Sequence, residues 1–268
     1  MKKSFFLVYG ILCYVIFFVT FLYTVGFISS WVVPKHIDSV PQSSLGFALL
    51  VNASLLGIFA LQHSIMARPA FKKWWANFVP AIIERSTYVI VSSLCLLLLF
   101  WQWQPIGGII WEIKNPTTQL LFKLLSMVGF GIVLVSTFLI NHFDLFGLRQ
   151  VWLYFTGKEY FQISFKMPFV YKYVRHPLYF GFVVAFWAAP TMTAAHLFFA
   201  LIMTVYIIIA IQFEEKDLIQ YFGATYLQYR KSAPMLIPFT KFTNTKNPKG
   251  VKPMSIISDR KSKDETGS

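Results

Sequence analysis

Charged residues are scarce in this sequence: they make up 13% of its 268 residues, whereas hydrophobic residues make up 56%. Soluble domains carry about 25% charged residues. Several apolar runs approach the roughly 20 residues that a membrane-spanning helix needs. The composition therefore excludes an ordinary soluble domain and predicts an integral membrane protein.

Cysteine is also scarce, because the chain has only Cys13 and Cys95, and both lie inside apolar runs. This placement indicates neither a disulfide framework nor a metal site, and it is typical of small core residues. Internal sequence repeats are not recognisable. We therefore expect no metal ion and no repeat architecture.

The formal net charge of +13 is compatible with nucleic-acid binding, but the positions of the cations indicate membrane orientation instead. If both termini lie on one side, then of the 24 Lys and Arg residues only Lys35 and Lys114 fall in loops on the other side. Cytoplasmic loops of membrane proteins are enriched in these cations. We therefore predict a bacterial inner-membrane protein with cytoplasmic N- and C-termini, and no nucleic-acid partner.

The apolar runs predict an all-α, polytopic membrane helical bundle of about five to six membrane helices, including a C-terminal helical hairpin. A short polar helix is expected after the hairpin, ending near Pro234. We predict an integral membrane domain over 1–239 and a disordered basic tail over 240–268. The expected helices are 5–30, 44–66, 85–103 and 117–140, followed by the hairpin 178–213.

The most informative stretch runs from Tyr171 to Gly181 and contains Arg175, His176 and Pro177 where a polar loop meets an apolar run. Proline suits the first position of a helix, because its φ is fixed and its missing N–H needs no partner there. The free backbone amides and the positive end of the helix dipole favour an anion. We therefore expect a carboxylate or phosphate to bind at this helix start.

Two adjacent carboxylates, Glu214 and Glu215, end the second half of the predicted hairpin. A helical hairpin brings its two open ends together, so these carboxylates should face Arg175 and His176 at the cytoplasmic surface. The pattern predicts a cofactor pocket there.

Further polar clusters lie near the same side, and ionisable groups at the edge of membrane helices indicate a site when they gather together. Each also has a structural explanation: a helix-start ion pair for Glu84 and Arg85, a packing histidine for His63, and a polar turn for the cluster after 140. His196 falls on the opposite side in this topology and is given no role. The clusters are Gln62-His63-Ser64 with Arg68, Glu84 to Tyr88, and Asn141 to Gln150.

The Arg-His-Pro-x-Tyr-x-Gly motif followed by two carboxylates resembles the signature of the membrane methyltransferases related to isoprenylcysteine carboxyl methyltransferase, the phospholipid methyltransferases and the NnrU-like proteins. Further segments narrow the resemblance to the bacterial methanethiol S-methyltransferases, and it covers most of the chain up to about 239. These segments are Gln62 to Pro69, Glu84 to Tyr88, Asn141 to Gln150 and Pro234 to Pro238.

The resemblance implies S-adenosylmethionine as the methyl donor and methanethiol, a small volatile thiol, as the acceptor, giving dimethyl sulfide. The donor's carboxylate would suit the helix start, its amino group or ribose hydroxyls would suit either glutamate, and its adenine or sulfonium would suit an aromatic ring. Gly181 would allow a close approach of backbone or cofactor. The cofactor-binding residues so implied are Arg175, His176, Pro177, Tyr179, Gly181, Glu214 and Glu215, with Tyr173, Tyr171 and Arg230 as weaker candidates.

Methyl transfer to a thiol needs the thiolate, so a base must take the thiol proton. Candidates are His142, Asp144 and His63, and we hypothesise that His142 is the base and that Asp144 orients it. Three alternatives stay open: a methyltransferase for another thiol, a prenylcysteine or a phospholipid amine; a non-catalytic NnrU-like protein; and a haem-binding protein that uses His63, His142 or His196. The sequence does not indicate the oligomeric state.

Overall fold

The computed structural model describes residues 1–161, 169–238 and 240. Within these ranges the chain is a bundle of helices with a single two-stranded sheet. This confirms the predicted helical membrane class, apart from the small sheet. The predicted tail over 240–268 lies outside the described residues, except for position 240 itself.

Five of the helices are long and apolar enough to cross a membrane: α1, α2, α4, α5 and α9 below. Their bounds agree with the expected spans to within a few residues at most ends. In chain order the helices are α1 (Lys2–Ser29), α2 (Leu45–Ala67), α3 (Pro69–Trp75), α4 (Ala81–Gln102), α5 (Pro116–Ile140), α6 (His142–Leu145), α7 (Leu148–Phe155), α8 (Pro177–Trp187), α9 (Ala194–Phe222) and α10 (Ala224–Ser232), and a 3₁₀ turn covers Phe169–Lys172.

The C-terminal hairpin is unequal. Its first helix, α8, has 11 residues, which at about 1.5 Å each is too short to cross a hydrocarbon core of about 30 Å. Its second helix, α9, has 29 residues and continues to Phe222. Glu214 and Glu215 therefore lie within α9, whereas the sequence predicted that the helix ends just before them.

The turn of the hairpin forms a strand. β2 (Thr191–Thr193) pairs antiparallel with β1 (Ile109–Glu112), in the connection between α4 and α5. Threonine is β-branched and favours extended backbone, which explains why this turn adds the short sheet that the helical prediction omitted. The sheet fixes the start of α9 against the rest of the bundle.

Helices α5 and α8 pack backbone to backbone at two glycines. A Cβ built on Gly181 would lie 2.6 Å from the carbonyl oxygen of Gly129, and one on Gly129 would lie 2.7 Å from the carbonyl oxygen of Gly181. Small residues allow this approach between membrane helices. The contact holds α8, and with it the Arg-His-Pro segment, against a spanning helix.

A polar cluster lies at the N-terminal end of α9. His196 is buried, and its Nδ1 lies 3.3 Å from Asp38 while its Nε2 lies 2.9 Å from the carbonyl oxygen of Phe186. Asp38 also accepts hydrogen bonds from Thr193 and Ser30. This cluster is separated from Glu214 by 18 residues of α9, or about 27 Å along the helix.

Candidate functional site

The Arg-His-Pro segment is fixed in place by the chain that follows α10. The backbone amides of Arg175 and His176 donate to the carbonyl oxygens of Pro234 at 2.9 Å and Met235 at 3.2 Å. Pro177 is the first residue of α8, as its fixed φ predicts. The start of α8 is therefore clamped from two sides, by α5 and by the 234–235 segment.

Arg175 and Glu215 form a buried ion pair at the centre of the site. Arg175 Nε lies 2.7 Å from Glu215 Oε1, and the two side chains are only 5% and 4% exposed. Arg175 Nη1 also donates to the carbonyl oxygens of Arg230 at 3.0 Å and Ala233 at 2.6 Å. Buried charges persist only when they are paired and hydrogen-bonded in this way.

Glu215 has two further partners. His176 Nε2 lies 3.1 Å from its Oε1, and Arg230 Nε lies 3.3 Å from its Oε2. Both carboxylate oxygens are therefore used inside the protein. The sequence analysis expected Arg175 to be available to an incoming anion; the structure instead gives its guanidinium a carboxylate and two carbonyl groups as acceptors.

Glu214 is the open carboxylate of the pair, with a side chain that is 42% exposed. His176 Nδ1 lies 3.9 Å from its Oε2, and the Tyr179 hydroxyl donates a hydrogen bond to it. The Tyr179 ring lies 5.7 Å from the His176 ring. The structure thus brings together the side chains of five predicted residues, with Arg175 and Glu215 as the buried pair and Glu214 as the accessible carboxylate beside His176 and Tyr179.

Tyrosines surround this charge cluster. The Tyr229 hydroxyl donates to the carbonyl oxygen of Tyr171 at 2.7 Å, which ties α10 to the 3₁₀ turn. Burial, together with the negative charge of Glu214, raises the pKa of Tyr171 to about 12. Burial also raises the pKa of Tyr226, with Glu215 adding to the effect. Tyr173, a predicted cofactor residue, has an exposed side chain.

His63 belongs to a second polar cluster, between α2 and α4. The Tyr88 hydroxyl lies 3.0 Å from each of its ring nitrogens, and Ser92 Oγ lies 3.3 Å from its Nδ1. Nearby, the hydroxyls of Ser64 and Tyr206 are 3.2 Å apart and join α2 to α9. Tyr206 was missed by the sequence reasoning because it lies in the middle of an apolar run.

His142 and Asp144 do not contact each other through the predicted hydrogen bond. His142 Nε2 lies 2.9 Å from the Tyr14 hydroxyl, and its Nδ1 lies 2.8 Å from Thr137 Oγ1. Asp144 pairs with Arg149 at 2.9 Å. Burial lowers the pKa of His142, so the imidazole is neutral at pH 7 and is oriented by hydroxyl groups.

A cavity of about 560 Å³ opens between α3, α4 and α7. Its walls carry charges of both signs, including Lys72 and Glu84, which lie 3.7 Å apart. Next to α3, Arg68 pairs with Asp217 of α9 at 2.9 Å. The three predicted polar clusters and the Arg-His-Pro motif thus line neighbouring helices at one end of the bundle.

No three His, Cys, Asp or Glu side chains gather as a possible metal site in the described part of the chain. Cys13 and Cys95 are free. The polar groups of the site are instead a carboxylate, hydroxyls, an imidazole and helix amides. Such groups bind organic ligands by hydrogen bonds and charge.

Comparison with known proteins identifies close relatives. Methanethiol S-methyltransferase from Crocosphaera subtropica is 56% identical over 239 residues, which cover 89% of this chain and 94% of that protein. The Mycobacterium tuberculosis protein of the same name is 49% identical over 239 residues, 89% of this chain and 98% of its own length. Mouse nurim is 28% identical over 189 residues, 67% of this chain and 71% of its own.

No family model matches the chain, and no solved structure matches it. The aligned region contains both the Arg-His-Pro motif and the two glutamates, because 239 of the 268 residues are covered. The identity is high along nearly the whole length of both proteins. The chain therefore belongs to the methanethiol S-methyltransferase family.

Proposed function

We propose that this protein methylates methanethiol to dimethyl sulfide with S-adenosylmethionine as the methyl donor. The observation that carries the proposal is the accessible Glu214 beside His176 and the first turn of α8. It occurs in a chain that is 56% identical to a protein named methanethiol S-methyltransferase. The substrate comes from that relative's name, and the donor is the one that the family resemblance implies.

The groups at the site fit this donor. Glu214 offers an open carboxylate to the donor's amino group or ribose hydroxyls, and charge-assisted hydrogen bonds of this kind are strong. The amides at the start of α8 favour the donor's carboxylate. The Tyr179 ring, half-buried next to Glu214, suits the adenine or the cationic sulfonium.

Arg175 and Glu215 are positioning residues in this proposal, because their charges are satisfied inside the protein. Their pairing holds α8, α9 and α10 in one arrangement, and His176 bridges from Glu215 towards Glu214. Pro177 starts the helix whose amides face the donor. Gly181 serves this geometry by letting the backbone of α5 approach.

When bound, the donor supplies an electrophilic methyl group on a positively charged sulfur. The protein must align the thiol sulfur with that methyl group, exclude water and take the thiol proton. The nucleophile is the thiolate, so a base must accept the thiol proton, and a histidine can do so. His63 and His142 are the candidates, and hydroxyl groups orient the imidazole ring of each.

The haem alternative is weakened by the hydrogen bonds of two histidines. A haem axial ligand needs a ring nitrogen that is available to iron. Both nitrogens of His142 contact hydroxyls, and both nitrogens of His196 contact Asp38 or a carbonyl oxygen. A bis-histidine haem site would require these contacts to be broken.

Headspace gas chromatography tests the proposed activity. Purified protein in lipid nanodiscs, supplied with methanethiol and S-adenosylmethionine, should release dimethyl sulfide, and Glu214→Gln should release much less. Prenylcysteine and phosphatidylethanolamine, offered in parallel, test the alternative acceptors. No methyl transfer to methanethiol by the wild-type protein would overturn the proposal.

We infer that this end of the bundle faces the cytoplasm of a bacterial inner membrane, with both termini on that side. Several described cations lie there, in α3, at the start of α4 and in α7. The positive-inside rule supports this orientation. Fusions of alkaline phosphatase or green fluorescent protein to the C-terminus test it, since the first is active only outside the cytoplasm and the second fluoresces inside it.

A further inference from the structure

The hydroxyl of Tyr88 lies close to both ring nitrogens of His63, 3.0 Å from Nδ1 and 3.0 Å from Nε2. Ser92 Oγ lies 3.3 Å from Nδ1 and donates its own proton to the carbonyl oxygen of Tyr88 at 2.9 Å. A neutral imidazole has one nitrogen without a proton. In either tautomer, therefore, the unprotonated nitrogen of His63 lies 3.0 Å from the Tyr88 hydroxyl.

This pair lies next to the proposed donor site. The groups that act electrostatically on Tyr179 are Glu214, Tyr206 and Tyr88. Tyr206 in turn contacts Ser64, the residue after His63. Tyr179 and Tyr206 also pack against the same apolar core, which contains Phe59. The phenol groups of α4, α8 and α9 are therefore neighbours, with Glu214 beside Tyr179 and His63 beside Tyr88.

The ring packed on His63 is apolar. The Phe59 ring stacks on His63 with centroids 5.3 Å apart and the planes at 27°. Tyr206 meets the same phenylalanine edge-on at 6.4 Å. An apolar, aromatic wall suits the methyl group of a small thiol and excludes water, which strengthens the electrostatic effects at the reacting atoms.

His142 lacks this connection. Its ring stacks on Phe138 at 4.1 Å, and its two nitrogens contact Tyr14 and Thr137. These partners lie on α1 and α5, whereas the glutamates and Tyr179 of the proposed donor site lie on α9 and α8. His142 therefore fits a role in packing α6 against the bundle.

We propose that the space between Tyr88, Tyr206 and Tyr179 is the thiol subsite and that His63 takes the thiol proton through the Tyr88 hydroxyl. Methanethiol gives its S–H proton to the Tyr88 oxygen as the Tyr88 proton passes to the unprotonated ring nitrogen of His63. The thiol sulfur forms a bond to the donor's methyl carbon, and the carbon–sulfonium bond breaks with its electron pair on the leaving sulfur. This inference rests on the proposed methyltransferase function.

The net charge of the site does not change in this step, because the positive charge of the sulfonium is lost as His63 becomes an imidazolium. The other charged groups around the pair are Arg85, whose guanidinium lies 5.9 Å from the centre of the Tyr88 ring, with Arg68 and Glu84 further away.

The experiment compares two thiols in three variants of the whole protein in nanodiscs. His63→Gln should lower kcat with methanethiol by about 100-fold, since general-base catalysis contributes about 10²–10⁴-fold. Tyr88→Phe should lower it by about tenfold or more, within the same range. Trifluoroethanethiol is a small thiol that is much more acidic, so it needs less help from a base, and both losses should shrink to about threefold with it.

Tyr9→Phe is the matched control, because the Tyr9 hydroxyl contacts Thr87, the neighbour of Tyr88, from α1. Tyr9→Phe should leave kcat unchanged with both thiols. Donor affinity, measured by calorimetry, should stay within about twofold in all variants, which separates this role from a structural one. The inference is overturned if His63→Gln keeps its kcat, if its loss is the same with both thiols, or if His142→Gln shows the thiol-dependent loss instead. An inactive wild-type protein would overturn the proposed function itself.

Discussion

Arg175 and Glu215 come from segments 40 residues apart and meet in a hydrogen-bonded ion pair 2.7 Å long. Neither side chain is accessible to an ordinary ligand, since both are about 95% buried. The pair therefore fixes the positions of the surrounding helices rather than contacting a ligand. Its neighbour Glu214 presents the accessible carboxylate.

Removing one member of the buried pair should destabilise the fold. Arg175→Met leaves Glu215 without its main partner and frees the carbonyl oxygens of Arg230 and Ala233. Loss of one partner of a buried ion pair costs about 3–5 kcal/mol. Thermal unfolding followed by tryptophan fluorescence should show a clear fall in Tm.

The control for that variant is Arg68→Met, which makes the same change in a pair that is 34% and 42% exposed. Exposed ion pairs contribute only about 0–1 kcal/mol. Its Tm should stay close to that of the wild-type protein. If Tm fell equally in both variants, the burial of the Arg175–Glu215 pair would not be the cause of the fall.

Glu214→Gln should weaken donor binding without unfolding the protein. The carboxylate is 42% exposed and its neighbours, His176 and Tyr179, keep their other contacts. A hydrogen bond to a charged group contributes about 1.5–3 kcal/mol, so the Kd for S-adenosylmethionine should rise at least about tenfold. Calorimetry measures it, with Glu112→Gln in β1 as a control whose Kd and Tm should not change.

The glycine contact between α5 and α8 should be sensitive to one methyl group. In Gly181→Ala the new Cβ would lie 2.6 Å from a backbone oxygen, so the helices must move apart. Overpacking of this kind costs about 1–3 kcal/mol. Gly131 also lies on α5, but a Cβ added there has no atom within 4 Å. Gly131→Ala should therefore leave Tm unchanged. An equal loss in both variants would rule out the close approach as the reason.

The long helices were predictable from the sequence because their apolar runs match the thickness of a membrane. The meeting of Arg175 and His176 with the two glutamates also followed from local information, since a hairpin brings its ends together. The extension of α9 past Glu215 did not follow from local information. Charged residues ended the apolar pattern there, but tertiary contacts with Arg175, His176 and Arg230 allow the helix to continue.

Partners chosen by tertiary structure were the least predictable. Asp144 follows His142 closely in sequence, and this spacing suggested that one orients the other. The chain instead brings Arg149 to Asp144, while Tyr14 from α1 reaches His142. Contacts between residues more than a hundred positions apart leave no local signal in one sequence.

At the other end of the bundle, the cluster around Asp38 should make the stability of the fold depend on pH. Burial opposes ionisation of Asp38, but hydrogen bonds from His196, Thr193 and Ser30 outweigh it and hold its pKa below the ordinary value. A carboxyl group whose folded pKa is lowered stabilises the fold at every pH above its unfolded pKa of about 3.9. That contribution is lost as pH falls through the lowered pKa.

Asp38→Asn should therefore lower Tm at pH 7, because His196 stays buried without its carboxylate. The expected loss is about 1–3 kcal/mol, the cost of leaving a buried polar group without its partner, and His196 keeps its other contact with the carbonyl oxygen of Phe186. In thermal scans from pH 7 downwards, the wild-type and variant Tm values should begin to converge below about pH 4, where Asp38 of the unfolded chain becomes protonated, and should converge further as the pH falls towards the lowered pKa of the folded protein. A difference in Tm that stayed constant over this range would mean that the charge of Asp38 does not stabilise the fold.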